Sequence, residues 1–446
     1  MRRWLFNLIY LGILLLFSPM LLYRSVRHGK YRRGFREKFL GRIPRRRRVL
    51  KNRSEQPGKK VVWFHAVSVG EVKLLKPLLQ KIDETQPEWC CAISTTSKTG
   101  MDLAKQMFGK DWTVFYCPLD FSWAVDKALQ RLKPDMLVLV EQELWPNLIE
   151  TAKKRGVKLA IVNGRFGDGG YKRYLWIRRI ITPLLQQFDL IAPQNELYAG
   201  WFRRLGVSSE VIGITGSIKF DGANTDRNNP ETQRLKHLAG ISENDIVFLA
   251  GSTQHPEETF AVECYEHLKK DFPSLRLIIV PRHPERFAEV SAMLDSKGIY
   301  WERRSTLSKE PGTERSAVPG RARVLLVDTV GELGGWWGTA TIAFVGGSMG
   351  KRGGQNMIEP AAYGAAVCFG PNTKNFRDIV TMMSRDNAAE VIHDQREMEQ
   401  FVRHCLEDSD YVKQLGNNAQ CLVQRQVGAT QKTMELLRAV LEESQQ

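Results

Sequence analysis

The chain has 446 residues, more than one ordinary hydrophobic core organises, so two domains are the starting expectation. Its 43% hydrophobic and 26% charged shares exclude a disordered chain and a polytopic membrane protein. The formal net charge of +16 is confined to one end: residues 1–53 hold 16 Lys and Arg against the single acid Glu37, and the nearly neutral remainder argues against a nucleic-acid binder.

Trp4 to Tyr23 carries no charge, and a helix of that length spans roughly 30 Å, so residues 1–23 are expected to form a transmembrane anchor. No small-residue cleavage site follows in Arg24-Ser25-Val26-Arg27, which favours a retained anchor over a removed signal peptide. Two basic residues precede the span and fourteen lie between Arg24 and Arg53, which directs the following domain to the cytoplasmic side. The basic juxtamembrane linker, residues 24–55, includes Arg45 to Arg48. This run either grips anionic headgroups, at about 1 kcal/mol per charge near the surface, or serves only to set topology.

Beyond the linker, short β-branched runs alternate with helix-like stretches, the pattern of parallel α/β layers. The first series is Val61 to His65, Ala92 to Ser94, Met136 to Val140, Leu159 to Val162 and Leu190 to Ala192. The second is Ile246 to Ala250, Leu277 to Val280, Val324 to Val327, Ile342 to Val345 and Ala366 to Phe369. The polar stretch Asp221 to Asn229 reads as a hinge between two doubly wound domains, 56–222 and 223–446, with ligands expected in the cleft between them. Arg303 to Arg323 reads as a surface loop. Seven cysteines without C-x-x-C or Cys/His spacing are expected to be free thiols, and no metal site is expected.

The motifs follow strands. In His65-Ala66-Val67-Ser68-Val69-Gly70-Glu71, the acid falls at a strand-to-helix turn, where it can take a proton from a hydroxyl or simply cap the helix. Glu141 and Glu143 come just past Met136 to Val140; Glu141 can orient catalytic groups or stabilise positive charge on a sugar, and Glu143 can cap the helix after Pro146. Lys219, in Gly216 to Asp221, either meets an anionic ligand or is a solvated charge. In the second series, Ala250-Gly251-Ser252-Thr253 allows close approach of a phosphate, and Arg282 suits a phosphate or carboxylate. Gly346 to Gly354 fails as a triphosphate loop because Val345 and Arg352 occupy required positions. It leads instead to Asn356-Met357-Ile358-Glu359, whose Glu359 can accept both hydroxyls of a ribose.

Taken in order, HAVSVGE, TTSKTG, YCPLD, ELWPN, NGR, SIKFD, AGST, VPRHPERF, DTVGEL and GGS…NMIEPAAYG resemble the 3-deoxy-D-manno-octulosonic acid (Kdo) transferases of lipopolysaccharide assembly over nearly the whole chain. The resemblance implies an α/β GT-B glycosyltransferase, two Rossmann-like domains facing a cleft, at the inner membrane with its catalytic domains in the cytoplasm. It implies transfer of Kdo from CMP-Kdo to a lipid A precursor with inversion and without a cofactor or metal. Glu71 would be the base, supported by Glu141 and Lys219. The donor would be held by Pro281, Arg282, Val330, Gly331, Glu332, Asn356, Met357, Ile358 and Glu359. Gln355, where the family often has histidine, and the loop Met349 to Arg352 depart from the pattern. A UDP-sugar transferase of the same fold and a membrane-tethered nucleic-acid-binding protein are the competing readings.

Overall fold

The computed structural model describes residues 2–28, 33–51, 58–166, 170–307 and 322–442. The chain divides into two compact units, one made of Met1–Gly222 with Val427–Gln446 and the other of Ala223–Gln426.

The first unit is built on six parallel strands, β1 (Lys60–His65), β2 (Trp89–Thr95), β3 (Thr113–Tyr116), β4 (Met136–Val140), β5 (Lys158–Gly164) and β6 (Leu190–Pro193), in the order β3-β2-β1-β4-β5-β6. The continuous apolar runs in β1 and β4 are what a sheet covered on both faces requires, and Val61 to Phe64 and Met136 to Leu139 are wholly buried. Because β1 lies between β2 and β4, the strand order reverses at the β1/β4 boundary, and the loops after these strands flank the crevice where an open sheet binds ligands.

Helix α1 (Arg2–His28) precedes the sheet; α2 (Val69–Thr85), α3 (Ser122–Leu132) and α4 (Pro146–Lys154) cover it. Helix α1 includes the stretch expected to be a membrane anchor, yet among the described residues no helix is long and apolar enough to cross a membrane. Two of its polar residues, Asn7 and Tyr10, are engaged by the unit itself. Asn7, 3% exposed, donates to Ser122 Oγ (2.7 Å), and its Oδ1 receives the Ser122 N–H (3.0 Å), while the Tyr10 hydroxyl donates to Asp120 Oδ2 (2.9 Å). The opposite side leaves Trp4, Leu8, Leu15 and Leu16 exposed. In the linker, Arg46 is likewise turned inward, to Asp135 Oδ2 (2.9 Å) and the Lys59 carbonyl (3.1 Å), while Arg45, Arg47 and Arg48 stay exposed.

The second unit has seven parallel strands: β7 (Ile246–Thr253), β8 (Leu275–Pro281), β9 (Trp301–Arg303), β10 (Val324–Leu326), β11 (Ile342–Val345), β12 (Ala366–Phe369) and β13 (Glu390–Val391). Their order, β13-β12-β11-β7-β8-β10-β9, reverses between β7 and β11. Helix α5 (Glu257–Leu268) follows β7. Most of the loop expected at Arg303 to Arg323, residues 308–321, lies outside the described residues.

The expected second domain running to residue 446 needs correction. Its last helix, α6 (Ala429–Glu442), belongs to the first unit, where Met434, Leu437 and Leu441 pack in one core with Leu74, Leu78 and Ile82 of α2. Asp221, in the expected hinge, fastens this return: its carboxylate accepts the Gly428 N–H (2.7 Å) and that of Thr430. All seven cysteines are free thiols, and only Cys421 is exposed.

Candidate active site

Glu71 and Glu141, expected to carry chemistry, and Glu143, expected as a helix cap, lie past the ends of β1 and β4, at the point where the strand order of the first unit reverses. Ser68 is extended and caps α2, its Oγ accepting the Glu71 N–H (3.2 Å), and Glu71 completes the capping box by reaching back. Glu71 Oε1 accepts from Ser68 Oγ (2.6 Å) and Ser68 N (3.3 Å), and Oε2 accepts from Val67 N (2.8 Å). The helix-capping alternative is thus realised, but it leaves room for a second role. A carboxylate offers about four lone-pair positions. Three are filled here, and one on Oε2 remains for a ligand hydroxyl. Thr95, the last residue of β2, steadies the turn by donating to the Val67 carbonyl (3.1 Å).

Glu71 is 7% exposed, and burial raises its pKa above the ordinary carboxylate range; the Ser68 and Val67 donors pull it back, and the charge of Glu141 adds to the rise. Glu143 is pushed up to about 7, first by burial and then by the charge on Glu71. Two acids with raised affinity for protons therefore stand together, the environment in which a general base near neutral pH is found.

Glu141 adopts φ +60°, a left-handed conformation rare outside glycine that persists where the surroundings enforce it. Its N–H donates to the Val162 carbonyl (2.9 Å), and its carboxylate pairs with Arg165 Nε (2.8 Å). Asn163, also left-handed at φ +55°, accepts the Ile218 N–H at Oδ1 (3.1 Å), so the turn bearing Lys219 is tied to the end of β5 beside Glu141. Asn163 and Arg165 belong to the NGR motif at the end of β5, and that position is the signal by which the sequence could have shown their part in the site. Asp120 is a further acid without an assigned role. Buried and pushed up to about 7 by desolvation, it receives the Asn147 (2.9 Å) and Leu148 (2.8 Å) N–H groups and so fixes the start of α4 behind the Glu141 loop.

The residues expected to hold a nucleotide are in the second unit, at the carboxyl ends of its strands. Pro281 ends β8, and Arg282 is exposed, its N–H donating to the Thr253 carbonyl (3.0 Å). Val330 is 78% exposed, and Gly331 needs its glycine at φ +97°. Glu332 is held by groups of its own unit. Its Oε1 accepts from Arg304 (2.7 Å) and Arg234 (3.2 Å), and its Oε2 from Arg304 Nε (2.9 Å) and Thr329 Oγ1 (2.6 Å), so its lone pairs are used within the chain. Met357 and Ile358 are buried as whole residues, and the Ile358 N–H donates to Asn356 Oδ1 (3.2 Å). Asn356 Nδ2 donates to Glu359 Oε1 (2.9 Å), bringing those two together. Among the described residues no group of three His, Cys, Asp or Glu is placed to hold a metal ion.

Comparison with known proteins bears on this geometry. A sequence model of the 3-deoxy-D-manno-octulosonic-acid transferase (kdotransferase) family matches residues 36–222. A 3-deoxy-D-manno-octulosonic acid transferase of Haemophilus influenzae is 30% identical over 97% of this chain and 98% of its own length. The enzyme of the same description from Bordetella pertussis is 31% identical over 84% of this chain and 86% of its own. A solved glycosyltransferase from Rickettsia africae covers 86% of this chain and 99% of its own at a TM-score of 0.56 and 13% identity, a likeness of fold.

Proposed function

Because the chain belongs to the 3-deoxy-D-manno-octulosonic acid transferase family, we propose that this glycosyltransferase moves Kdo from CMP-Kdo onto a lipid A precursor, with inversion, in lipopolysaccharide assembly. The observation that carries the reading is Glu71: a buried carboxylate of raised proton affinity with one lone pair open, in a chain that matches a Kdo transferase almost end to end.

In this mechanism Glu71 takes the proton of the lipid hydroxyl as that oxygen attacks the anomeric carbon of Kdo. The bond from that carbon to the CMP phosphate oxygen breaks in the same displacement, which inverts the centre, and CMP leaves with the electron pair. Lys219 and Arg282 are suited to offset charge on the departing phosphate. Glu141, oriented by Arg165, is suited to stabilise positive charge developing on the sugar. Asn356 and Glu359 would take the ribose hydroxyls, with the backbone near Pro281, Val330, Gly331, Met357 and Ile358 alongside. We assign Glu332 to holding that loop. A lipid acceptor calls for a location at the cytoplasmic face of the inner membrane, and the exposed apolar side of α1 and the exposed Arg45, Arg47 and Arg48 support attachment there.

The test is mass spectrometry of a tetraacyl lipid A precursor incubated with detergent-solubilised protein and freshly generated CMP-Kdo. A mass gain of one or more Kdo residues is expected. No product with CMP-Kdo but transfer from a UDP-sugar would overturn the donor assignment.

A further inference from the structure

In the second unit the strand order reverses between β7 and β11, so the loops after these two strands flank its ligand crevice. The loop after β11 turns the N–H groups of Gly347, Ser348 and Met349 toward one point, a concavity of the kind that receives anions. A side chain of the protein already holds that point. Glu257, the first residue of α5 and 1% exposed, accepts Gly347 N (2.7 Å) and Gln254 N (2.8 Å) at Oε2, and Ser348 N (2.9 Å) and Met349 N (3.0 Å) at Oε1. The approach is close enough to demand glycine at 346, where a Cβ would stand 2.7 Å from Glu257 Oε2 and 2.6 Å from Thr253 Cα. The constraint passes onward. Gly354 N donates to the Gly347 carbonyl (2.8 Å), which closes the loop two residues before Asn356.

We propose that Glu257 is a positioning residue for the donor. Its carboxylate serves as a built-in anion that fills the amide nest, fixes Gly346–Gly354, and so sets where Asn356 and Glu359 meet the nucleotide. The nest is consequently not where the donor phosphate binds; that charge falls to other groups. The donor half of the assignment rests on the CMP-Kdo reading above, whereas the loop half rests on the geometry alone. A carboxylate is required: glutamine would turn an NH₂ group toward two N–H donors, and aspartate falls one methylene short.

The experiment compares the full-length protein with Glu257→Gln and Glu257→Asp by hydrogen exchange and by steady-state kinetics. Glu257→Gln is expected to speed amide exchange chiefly at 346–354 and to raise the KM for CMP-Kdo about tenfold, with kcat changed by a smaller factor and the lipid KM unmoved. Glu257→Asp should recover part of both effects, and it carries the test if the glutamine variant does not fold. Unchanged exchange at 346–354 would overturn the proposal. So would exchange loosened across the whole unit with an unaltered donor KM, the result of a merely structural role. If the unaltered protein ignores CMP-Kdo while the exchange result holds, the donor reading fails and the loop assignment stands.

Discussion

In the first unit Glu71 stands past the end of β1 with three of its lone pairs occupied and with Glu141 and Glu143 near enough to raise proton affinities. In the second unit Glu257 and Glu332 occupy comparable positions past strand ends, and each has four donors of the protein's own. The same residue type in similar topology is thus put to two uses. A carboxylate with a vacancy and a charged neighbour can exchange a proton, whereas a saturated one can only hold backbone and side chains in place.

Glu71→Gln is the sharpest way to separate these uses, because glutamine is accepted in a capping box and cannot take a proton. We expect kcat to fall by about 10²–10⁴-fold with the thermal midpoint and CMP affinity nearly unchanged. Near-normal turnover would erase the distinction between the units by reducing Glu71 to a cap.

The converse pattern is expected of Arg304→Met. Arg304 is 3% exposed and makes a two-point contact with Glu332, so its removal leaves a carboxylate short of donors. Complete loss of one partner from a buried pair costs about 3–5 kcal/mol. Since Glu332 is partly exposed and keeps Arg234 and Thr329, about 2 kcal/mol is expected in denaturant unfolding, with donor KM rising more than kcat falls. A kcat loss like that of Glu71→Gln, without loss of stability, would break the comparison.

Much of this was legible in the chain. The central strands announce themselves as apolar runs such as Met136 to Val140, and the acids follow them directly. The edge strands of the second sheet did not: β9 is Trp-Glu-Arg and β13 only Glu-Val, too short or polar to show an alternation. Nor does anything local in Ala429–Glu442 say that its apolar side returns to the first unit, since an amphipathic helix reveals that it packs and not against what. In the candidate site, the places of Glu71 and Glu141 past strand ends and of Lys219 in a turn were readable from the sequence. The saturation of Glu257 and Glu332 was not, because three of the four donors to each come from distant residues, 90 to 92 positions away for Glu257 and 28 or 98 for Glu332, and exist only after folding.

The acid pair of the first unit also predicts a pH dependence. Glu143 titrates near 7 in the folded protein and near 4.5 otherwise. The fold therefore holds its proton between those values. The contribution is fully present below about pH 4.5 and is lost as pH rises through 7. Thermal midpoints should fall across that window, and Glu143→Gln should flatten the fall. Glu71→Gln, by deleting the neighbouring charge, should move the fall to lower pH, on the order of half a unit. A Glu71→Gln profile identical to that of the unaltered protein would mean that the two acids do not sense each other.

The smallest effect tests whether α1 belongs to the first unit at all. The Tyr10 hydroxyl donates to Asp120, whose carboxyl, pushed up to about 7 by burial, gains its charge only above neutrality. A hydrogen bond to a charged group contributes more than one to a neutral group, so Tyr10→Phe should cost about 1–2 kcal/mol at pH 8 and less at pH 6. The variant removes one donor from Asp120 and leaves the Asn147 and Leu148 N–H groups in place, so α4 and the Glu141 loop should keep their geometry and turnover should be preserved. If Tyr10→Phe changes stability at neither pH, α1 is not seated on α3 and α4. The exposed apolar residues of the helix would then no longer be held on one side by the unit, and its attachment to a membrane would have to be argued from the helix alone.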